Sequence, residues 1–394
     1  MRIARAGALP SITPEVSWSK ASSFAQGWVF EPLVRVDSSG ALAPCLADTF
    51  QRLDQSRYRF HLRPAATFSD GTPVTIGDVA DSLSLHRLQV TPGEDSFTVE
   101  SRDKTIPTDV LLIRALVFAR RGERVVGTGP FALRSQAQNS ARLERLHPAP
   151  HLIQDIVIES YPTPREAFAH TLRGDADLLV DVQPRDVEFF ENVPRLQIVR
   201  GAPTHVAAAV LNLRLPREER RAVGAALTGS TLSHVSYNDQ CKPLREGRPQ
   251  PLPAGALLDV LTTAGDERIA LAVRRAFGAR GGRVQVVDPL ELLRRIQGGN
   301  FDVAIARPLS WPQSSLVLSW RTGSPEGILG YSNPRVDAAL DAGDWPAAQA
   351  ALEDDPPAVF LCSLSRIAVV DARIKHPELG PYDILESLPK WETE

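Results

Sequence analysis

Two features of the 394-residue sequence predict a mixed α/β fold in two units. Apolar residues recur at every second position in some segments and at every third or fourth in others, which are the periods of strands and helices. These patterns alternate along two stretches, separated by residues 228–256, which are rich in Pro, Gly and polar residues and predict a long loop. We therefore expect two α/β lobes.

The first stretch opens with a strand at residues 1–6 and an amphipathic helix at 22–34, whose inward stripe carries Phe24, Trp28, Val29 and Leu33. Thr163 before a proline and Gly174 mark the start and the end of another helix. The elements predicted after residue 34 are strands at 58–63, 153–161, 177–182 and 196–200, and helices at 75–88, 164–173 and 184–192. The sequence does not fix the positions of strands within residues 89–125.

The second stretch repeats this alternation without repeating the sequence. Residues 205–213 form an apolar run long enough to cross between lobes. The elements predicted after the loop are strands at 257–262, 283–287 and 301–306, and helices at 266–279 and 289–297.

Charge and hydropathy exclude several classes of protein. The formal charge is −3 and the pI 6.3, without the basic excess of a nucleic-acid binder. Only 23% of residues are charged, which argues against a disordered chain, and no apolar run approaches the ~18–20 residues of a membrane span. The sequence predicts a soluble globular protein without a transmembrane segment.

The residues predict neither a metal site, a cofactor nor an enzyme. Cys45, Cys241 and Cys362 are widely separated, so we expect each to pack as a small apolar residue, without a disulfide framework or zinc spacing. His147 and His151 are separated by prolines that exclude a helical ligand pair. No nucleophile motif is present.

The N-terminus leaves the compartment open. It begins with a basic residue but has no apolar region of 7–15 residues, so a secretory signal is absent. Either Met1 is the native start and the protein is cytoplasmic, or an engineered Met replaces a removed leader.

An ordered series of segments resembles the bacterial extracellular solute-binding proteins of family 5, the dipeptide-, oligopeptide- and nickel-binding type. The series covers most of the chain and comprises residues 30–34 (FEPLV), 42–48 (LAPCLAD), 58–63 (YRFHLR), 67–74 (TFSDGTPV), 78–79 (DV), 127–131 (GTGPF), 172–177 (LRGDAD), 301–303 (FDV), 330–334 (GYSNP) and Asp337.

The resemblance implies a bilobal type II periplasmic-binding-protein fold. Lobe 1 would comprise residues 1–205 plus 361–394, with an accessory subdomain at about 40–150, and lobe 2 residues 206–360, shortened around 228–256. It also implies a solute-binding component of an ABC-type importer, at the cell surface or in the periplasm, with a permease as partner. Peptide-binding relatives hold the ligand's ammonium with an Asp after the strand equivalent to 302–306. Residues 307–313 contain no carboxylate, so free peptide is a doubtful ligand.

The resemblance also implies which side chains contact the ligand. They are Trp18, Phe24, Arg307, Trp311, Trp320, Arg321 and Tyr331. Arginine suits carboxylate or phosphate and tryptophan gives a flat apolar wall, so the expected ligand is anionic or aromatic. The alternative is that the tryptophans are core residues and the arginines are solvated.

Two other functions stay open. The absent signal and the shortened second lobe favour a cytoplasmic protein that senses or sequesters a ligand without a permease. An enzyme on this scaffold is the least favoured, because no residue pattern names a reaction.

Overall fold

The computed structural model describes residues 1–14, 25–37, 39–103, 106–203, 205–232, 241–244, 247–307, 316–324, 327, 329–380 and 386–393. The chain folds into two compact units. Unit 1 comprises Met1–Ala202 and Arg366–Glu394, and unit 2 comprises Pro203–Ser365.

The elements of unit 1 come mostly from the first half of the chain. They are β1 (Arg2–Ala6), α1 (Gln26–Val29), β2 (Glu31–Pro32), β3 (Val34–Val36), β4 (Leu42–Pro44), β5 (Ala47–Arg52), β6 (Arg57–Leu62), α2 (Ile76–Ser84), β7 (Leu88–Pro92), β8 (Phe97–Ser101), α3 (Thr108–Leu112), β9 (Leu116–Arg121), β10 (Arg124–Gly127), β11 (Phe131–Gln136), β12 (Ser140–Arg145), β13 (Asp155–Tyr161), α4 (Pro164–Arg173), β14 (Leu178–Leu179) and β15 (Leu196–Arg200).

The elements of unit 2 follow, and three short strands then return to unit 1. In unit 2 they are β16 (His205–Leu211), α5 (Arg217–Ala226), α6 (Gly229–Leu232), β17 (Cys241–Pro243), β18 (Leu258–Thr263), α7 (Glu267–Ala276), β19 (Gly281–Val287), α8 (Pro289–Gln297), β20 (Val303–Ala306), α9 (Leu316–Trp320), α10 (Pro334–Ala342), α11 (Trp345–Asp354) and β21 (Ala358–Leu364). In unit 1 they are β22 (Ile367–Asp371), β23 (Ile374–Lys375) and β24 (Glu392–Thr393).

Unit 1 is built on a seven-stranded sheet of order β11-β12-β13-β1-β14-β22-β15. Its centre is parallel, because β1 pairs in parallel with both β13 and β14. Ile3 and Ala4 of β1 are both fully buried, in separate cores on the two faces of the sheet. The centre of β1 is therefore buried on both faces, while Arg2 before it is exposed and Arg5 after it is half-buried.

A smaller antiparallel sheet of order β5-β6-β8-β7 lies in the same unit, and α2 contacts its edge strand β7. Helix α2 begins at a reciprocal capping box in which Thr75 Oγ1 accepts from the Asp78 N–H and Asp78 Oδ2 accepts from the Thr75 N–H. This satisfies two amide donors at the helix start. The predicted helix at 75–88 is thus present but ends at Ser84, because β7 begins at Leu88.

The predicted helix at 22–34 is wrong over its described part. Only Gln26–Val29 is helical, and Phe30 is extended, with φ −126° and ψ 128°. The chain then enters the strand Glu31–Pro32. Pro32 explains the early end, since proline has no N–H and disfavours helical geometry in the residue before it.

Within unit 1, the backbone of the 127–131 segment packs closely against the backbone of α1. The Gly129 N–H donates to the Val29 carbonyl at 2.9 Å. A Cβ at Gly129 would lie 2.4 Å from the Trp28 carbonyl oxygen, and one at Gly127 would lie 2.0 Å from that of Val29. Glycine is needed at both positions because no side chain fits in the gap.

Unit 2 is built on a six-stranded sheet of order β17-β21-β16-β20-β18-β19. Strands β18, β19 and β20 are parallel, and β16 pairs antiparallel with β20 and β21. Along β16, Ala207 and Ala209 face one core while Ala208 and Val210 face the other. The apolar run predicted at 205–213 is therefore a central strand buried on both sides.

A disulfide joins Cys241 and Cys362, which corrects the expectation that each cysteine packs alone. Strand β17 pairs antiparallel with β21 and places the two Cα atoms 5.3 Å apart. Because 121 residues separate the two positions, their spacing gave no sign of this contact. Cys45 is a free thiol.

Candidate functional site

The candidate site in unit 1 lies at the carboxyl ends of its parallel strands. In open α/β sheets ligands bind outside that edge. Asp181 follows β14 there, with φ +57°, in the left-handed region that Asp and Asn tolerate better than most residues. We name Arg5, Asp181 and Arg366 the unit 1 edge.

Arg366 and Asp181 form an ion pair in which two guanidinium nitrogens contact one carboxylate oxygen. Arg366 Nε lies 3.2 Å and Nη2 2.5 Å from Asp181 Oδ1. The Asp181 side chain is 56% exposed and that of Arg366 27% exposed. The pair therefore meets solvent and is only weakly stabilising.

A second guanidinium, that of Arg5, lies near the same carboxylate. Its Nη1 donates to the Ala8 carbonyl at 2.7 Å. Burial lowers the pKa of Arg5, and the charge of Asp181 opposes that shift. Arg5 therefore interacts with Asp181 through its charge, while Arg366 forms the ion pair with that carboxylate.

The equivalent edge of unit 2 carries another ion pair, and in this one the carboxylate is buried and both of its oxygens are contacted. Arg307 follows β20 and Asp266 lies after β18. Arg307 Nε lies 3.2 Å from both Asp266 oxygens, and Nη2 lies 2.7 Å from Oδ1. The Asp266 side chain is only 8% exposed, so Arg307 balances a buried charge, a structural role that does not depend on a ligand.

Trp320 and Tyr331 belong to the core of unit 2. They are 2% and 5% exposed, and their rings meet edge to face with centroids 6.4 Å apart. The Tyr331 hydroxyl donates to the Asp355 carbonyl at 2.9 Å, and burial raises the pKa of Tyr331 to about 12. Their predicted ligand contacts conflict with this burial, because such rings reach a ligand only if the core opens.

The other predicted contacts are either engaged elsewhere or outside the described residues. Arg321 Nε and Nη2 each donate to one oxygen of Asp341, at 2.8 and 3.1 Å. Its charge is thus matched by a surface carboxylate. Trp18, Phe24 and Trp311 lie outside the described residues.

A cavity of about 210 Å³ in unit 2 lies at the opposite edge of the sheet, near the amino ends of β18 and β20. Gln285 Nε2 donates to Asp259 Oδ2 and Arg295 Nη1 donates to Gln285 Oε1, both at 2.9 Å. Three of its polar groups thus bind one another, and it lies at the amino ends of the strands rather than at their carboxyl ends.

Two absences hold for the described part of the chain. No group of three or more His, Cys, Asp or Glu side chains is placed to hold a metal ion there. No helix in those segments is both long and apolar enough to cross a membrane.

Sequence reasoning missed Asp181, Arg366 and Asp266. One signal was present, since Asp181 falls within the strand predicted at 177–182, close to its carboxyl end. The partner arginines are distant in sequence, and Arg366 lies 185 positions away. Because the partners are so far apart in sequence, no local sequence pattern shows that they lie together in the fold.

Solved structures superpose on the chain over its whole length. The ABC transporter substrate-binding protein CtaP from Listeria monocytogenes gives a TM-score of 0.82 at 16% identity, covering 100% of this chain and 99% of its own. NikZ from Campylobacter jejuni, solved with Ni(L-His), gives 0.80 at 15% identity with the same coverage. The oligopeptide-binding protein AppA from Bacillus subtilis, solved with a nonapeptide, gives 0.75 at 16%, again with the same coverage.

The chain has the fold of the family 5 solute-binding proteins. This confirms the predicted fold class. CtaP is named a substrate-binding protein and AppA an oligopeptide-binding protein, and at 16% identity these neighbours show the fold alone.

The sequence comparisons give one partial match. No family profile matches the chain. The HTH-type transcriptional regulator SgrR from Pectobacterium atrosepticum is 27% identical over 135 residues, which is 29% of this chain. The match spans 24% of that regulator, so the chain covers about a quarter of its length.

Proposed function

We propose that this chain is the binding component of an ABC-type importer and encloses a small molecule between its two lobes. The observation that supports this most is the unit 1 edge, where charged side chains collect at the carboxyl ends of parallel strands. That is the position at which open α/β sheets bind ligands. Proteins of the same fold are solved with Ni(L-His) and with a nonapeptide.

The proposed ligand is a small solute other than a free peptide. Residues 307–313 contain no carboxylate to pair with a peptide ammonium. Within the described part of that segment, Arg307 already pairs with the buried Asp266. An ammonium held there would lack a counter-charge, which costs several kcal/mol.

Binding of this kind favours a closed state, because only that state makes contacts from both lobes. A panel of opines, sugars, organic acids, metal chelates and peptides tests the proposal. We expect at least one member to raise the melting temperature and to reduce the radius of gyration in X-ray scattering. If no member changes either quantity, the proposal fails.

A second candidate is a ligand sensor coupled to a regulator, working without a permease. The partial match to the regulator SgrR favours it. The Cys241–Cys362 disulfide favours the importer component instead, because disulfides persist mainly in oxidising compartments outside the cytosol.

Cell fractionation separates these two candidates. Recovery of the protein from the periplasm or cell surface, with Cys241 and Cys362 oxidised, supports the importer component. Recovery from the cytosol with both thiols reduced excludes it and supports the sensor. Alkylation before lysis, followed by peptide mass spectrometry, gives the redox state.

A further inference from the structure

We propose that the cavity in unit 2 binds a small zwitterion of the α-amino acid class, with the carboxylate of the ligand at Arg214 and Arg295 and its ammonium at Asp302. The cavity lies at the amino ends of β18 and β20, and all of its lining residues belong to unit 2. It is a second site, separate from the proposed solute site, and it goes beyond the proposed function.

The size and the lining of the cavity suit a small polar molecule. A water molecule occupies about 30 Å³ of the liquid, so a volume of about 210 Å³ has room for roughly seven such volumes, the size of a small amino acid. Leu261 and Phe301, which are 2% and 7% exposed, form the apolar part of the lining. The other lining residues are polar or charged, namely Arg214, Asp259, Gln285, Arg295, Asn300 and Asp302.

Two guanidinium groups lie at the loop between α8 and β20. Arg214 Nη2 donates to the Gly299 carbonyl. Arg295 Nε donates to the carbonyl of the next residue, Asn300, at 3.0 Å. Their other acceptors are neutral side-chain amides, and neither arginine forms an ion pair with a carboxylate of the described residues. Like charges held close together favour an anion beside them, and guanidinium groups bind carboxylates by charge-assisted hydrogen bonds.

Asp302 supplies a carboxylate oxygen to the same cavity. Its Oδ2 accepts the Asp259 N–H at 3.0 Å, whereas its Oδ1 has no hydrogen-bond or ion-pair partner among the described residues. The carboxylate of Asp259 is engaged on both oxygens, by the Arg283 N–H at 2.7 Å and by Gln285 Nε2 at 2.9 Å. Asp302 is therefore the lining carboxylate that has an oxygen left for a cationic group of a ligand.

This arrangement of charges favours a zwitterion over a purely anionic or a purely cationic ligand. A carboxylate at the two guanidinium groups and an ammonium at Asp302 would each meet an opposite charge. A dicarboxylate would place an anion beside Asp302, and an amine without a carboxylate would leave the guanidinium groups without a counter-charge. Both mismatches cost free energy, because a charge taken out of water needs a partner of opposite sign.

Hydrogen bonds within unit 2 hold the binding groups in place before a ligand arrives. The Asn212 side chain, which is 5% exposed, donates from Nδ2 to the Gly299 carbonyl at 3.0 Å and accepts the Arg214 N–H at 2.9 Å. Arg295 Nη1 donates to Gln285 Oε1 at 2.9 Å. Groups that are already fixed lose less conformational entropy on binding.

Isothermal titration calorimetry on the full chain tests the ligand class. The probes are alanine and serine at neutral pH and constant ionic strength. Each is compared with the acid that lacks its ammonium, propionate or 3-hydroxypropionate, and with the amide that lacks its carboxylate, alaninamide or serinamide. We expect at least one amino acid to bind, and both of its analogues to bind at least about ten times more weakly. Failure of both amino acids to bind, or equal binding of an amino acid and either analogue, overturns the proposal.

Three variants then place the amino acid in the cavity. Arg295→Gln and Asp302→Asn should each weaken its affinity by about ten- to a hundredfold, the range for losing a charge-assisted hydrogen bond. Asp302→Asn keeps an oxygen that can accept the Asp259 N–H. Asn300→Phe fills the cavity without removing a hydrogen bond, because the Asn300 side chain has no partner among the described residues. It should abolish binding at an unchanged melting temperature, which separates loss of the site from loss of the fold.

Arg294→Gln is the matched control for Arg295→Gln. Arg294 is the neighbouring residue of α8, pairs with Glu291 at 2.7 Å, is 76% exposed and does not line the cavity. The control removes the same charge and should leave the affinity unchanged, and Glu291→Gln serves in the same way for Asp302→Asn. Equal losses in a variant and its control would indicate general electrostatics and overturn the site.

The remaining outcomes separate this site from the proposed solute site. If Asn300→Phe leaves the affinity for the amino acid unchanged, the amino acid binds elsewhere and the cavity is not its site. If neither amino acid binds but a member of the solute panel still compacts the protein, the zwitterion site is wrong while the solute-binding function stands. Failure of the whole solute panel, with amino-acid binding that depends on Arg295 and Asp302, removes the proposed function and supports the cavity site.

Discussion

Loss of the Cys241–Cys362 disulfide should destabilise unit 2 and leave unit 1 unaffected. The bond closes a loop across a sequence separation of 121 residues. The chain-entropy relation gives about 5 kcal/mol for a loop of that size, and removal of native disulfides costs about 2–5 kcal/mol. Both cysteines are buried, at 2% and 0% exposed, in the core that holds β16 and β18.

Hydrogen exchange with mass spectrometry resolves the two units separately. Reduction of the disulfide should speed globally limited exchange in β16 and β21 by up to about three orders of magnitude, since 1.4 kcal/mol corresponds to a factor of ten. Exchange in β1 and β13 should not change. The Cys241→Ala/Cys362→Ala variant should match the reduced protein and lose its response to reductant.

Thiol titration under denaturing conditions, without reductant, provides the decisive check. The sequence has three cysteines, and the structure predicts that one, Cys45, reacts. A count of three thiols, or equal exchange in unit 2 with and without reductant, would refute the reasoning.

Three further predictions concern unit 1. His86 is 8% exposed, its Nε2 has no hydrogen-bond partner among the described residues, and burial lowers its pKa. The unfolded chain therefore binds a proton more readily, so stability is fully present above the ordinary pKa of about 6.5 and falls as pH drops below it. His86→Leu should flatten the urea midpoint between pH 7.5 and 5.5, and an unchanged decline would contradict the assignment. Gly129→Ala should lower the free energy of unfolding by about 2–3 kcal/mol through overpacking against the Trp28 carbonyl, whereas Gly77→Ala in α2 should be neutral or stabilising. Equal effects of the two substitutions in denaturant titrations would count against the close contact. Burial raises the pKa of Cys45 to about 12, so iodoacetamide at pH 8 should label it at least about a hundred times more slowly in the native protein than in urea. Equal labelling rates would show an exposed thiolate.

Helix boundaries were predictable where the signal is local. The predicted helices at 164–173 and 289–297 match α4 and α8 residue for residue. Each has a capping side chain, Thr163 or Asp288, immediately before a proline at the first helical position. These signals act within one turn and need no tertiary contact.

The sequence was a poor guide where structure depends on distant contacts. The amphipathic stripe at 22–34 suggested one long helix, but α1 ends before Glu31–Pro32, which pairs with β9. The disulfide likewise depends on the pairing of β17 with β21. Neither pairing leaves a periodic pattern in the sequence.

The candidate site likewise combines a feature that local sequence predicts with one that depends on distant contacts. Arginines after strands were recognised as candidates for anion contact, but charge alone does not show which arginine is already neutralised. The structure pairs Arg307 with the buried carboxylate of Asp266, while Arg366 pairs with the exposed carboxylate of Asp181. Only the folded arrangement distinguishes the two.

The central claim is that this chain binds a small solute, and native mass spectrometry of the protein as purified from its own cells tests it most directly. We predict a complex heavier than the chain by one discrete small molecule, which is released on denaturation and can then be identified. A mass equal to that of the bare chain, which also persists after incubation with the solute panel, would contradict the claim.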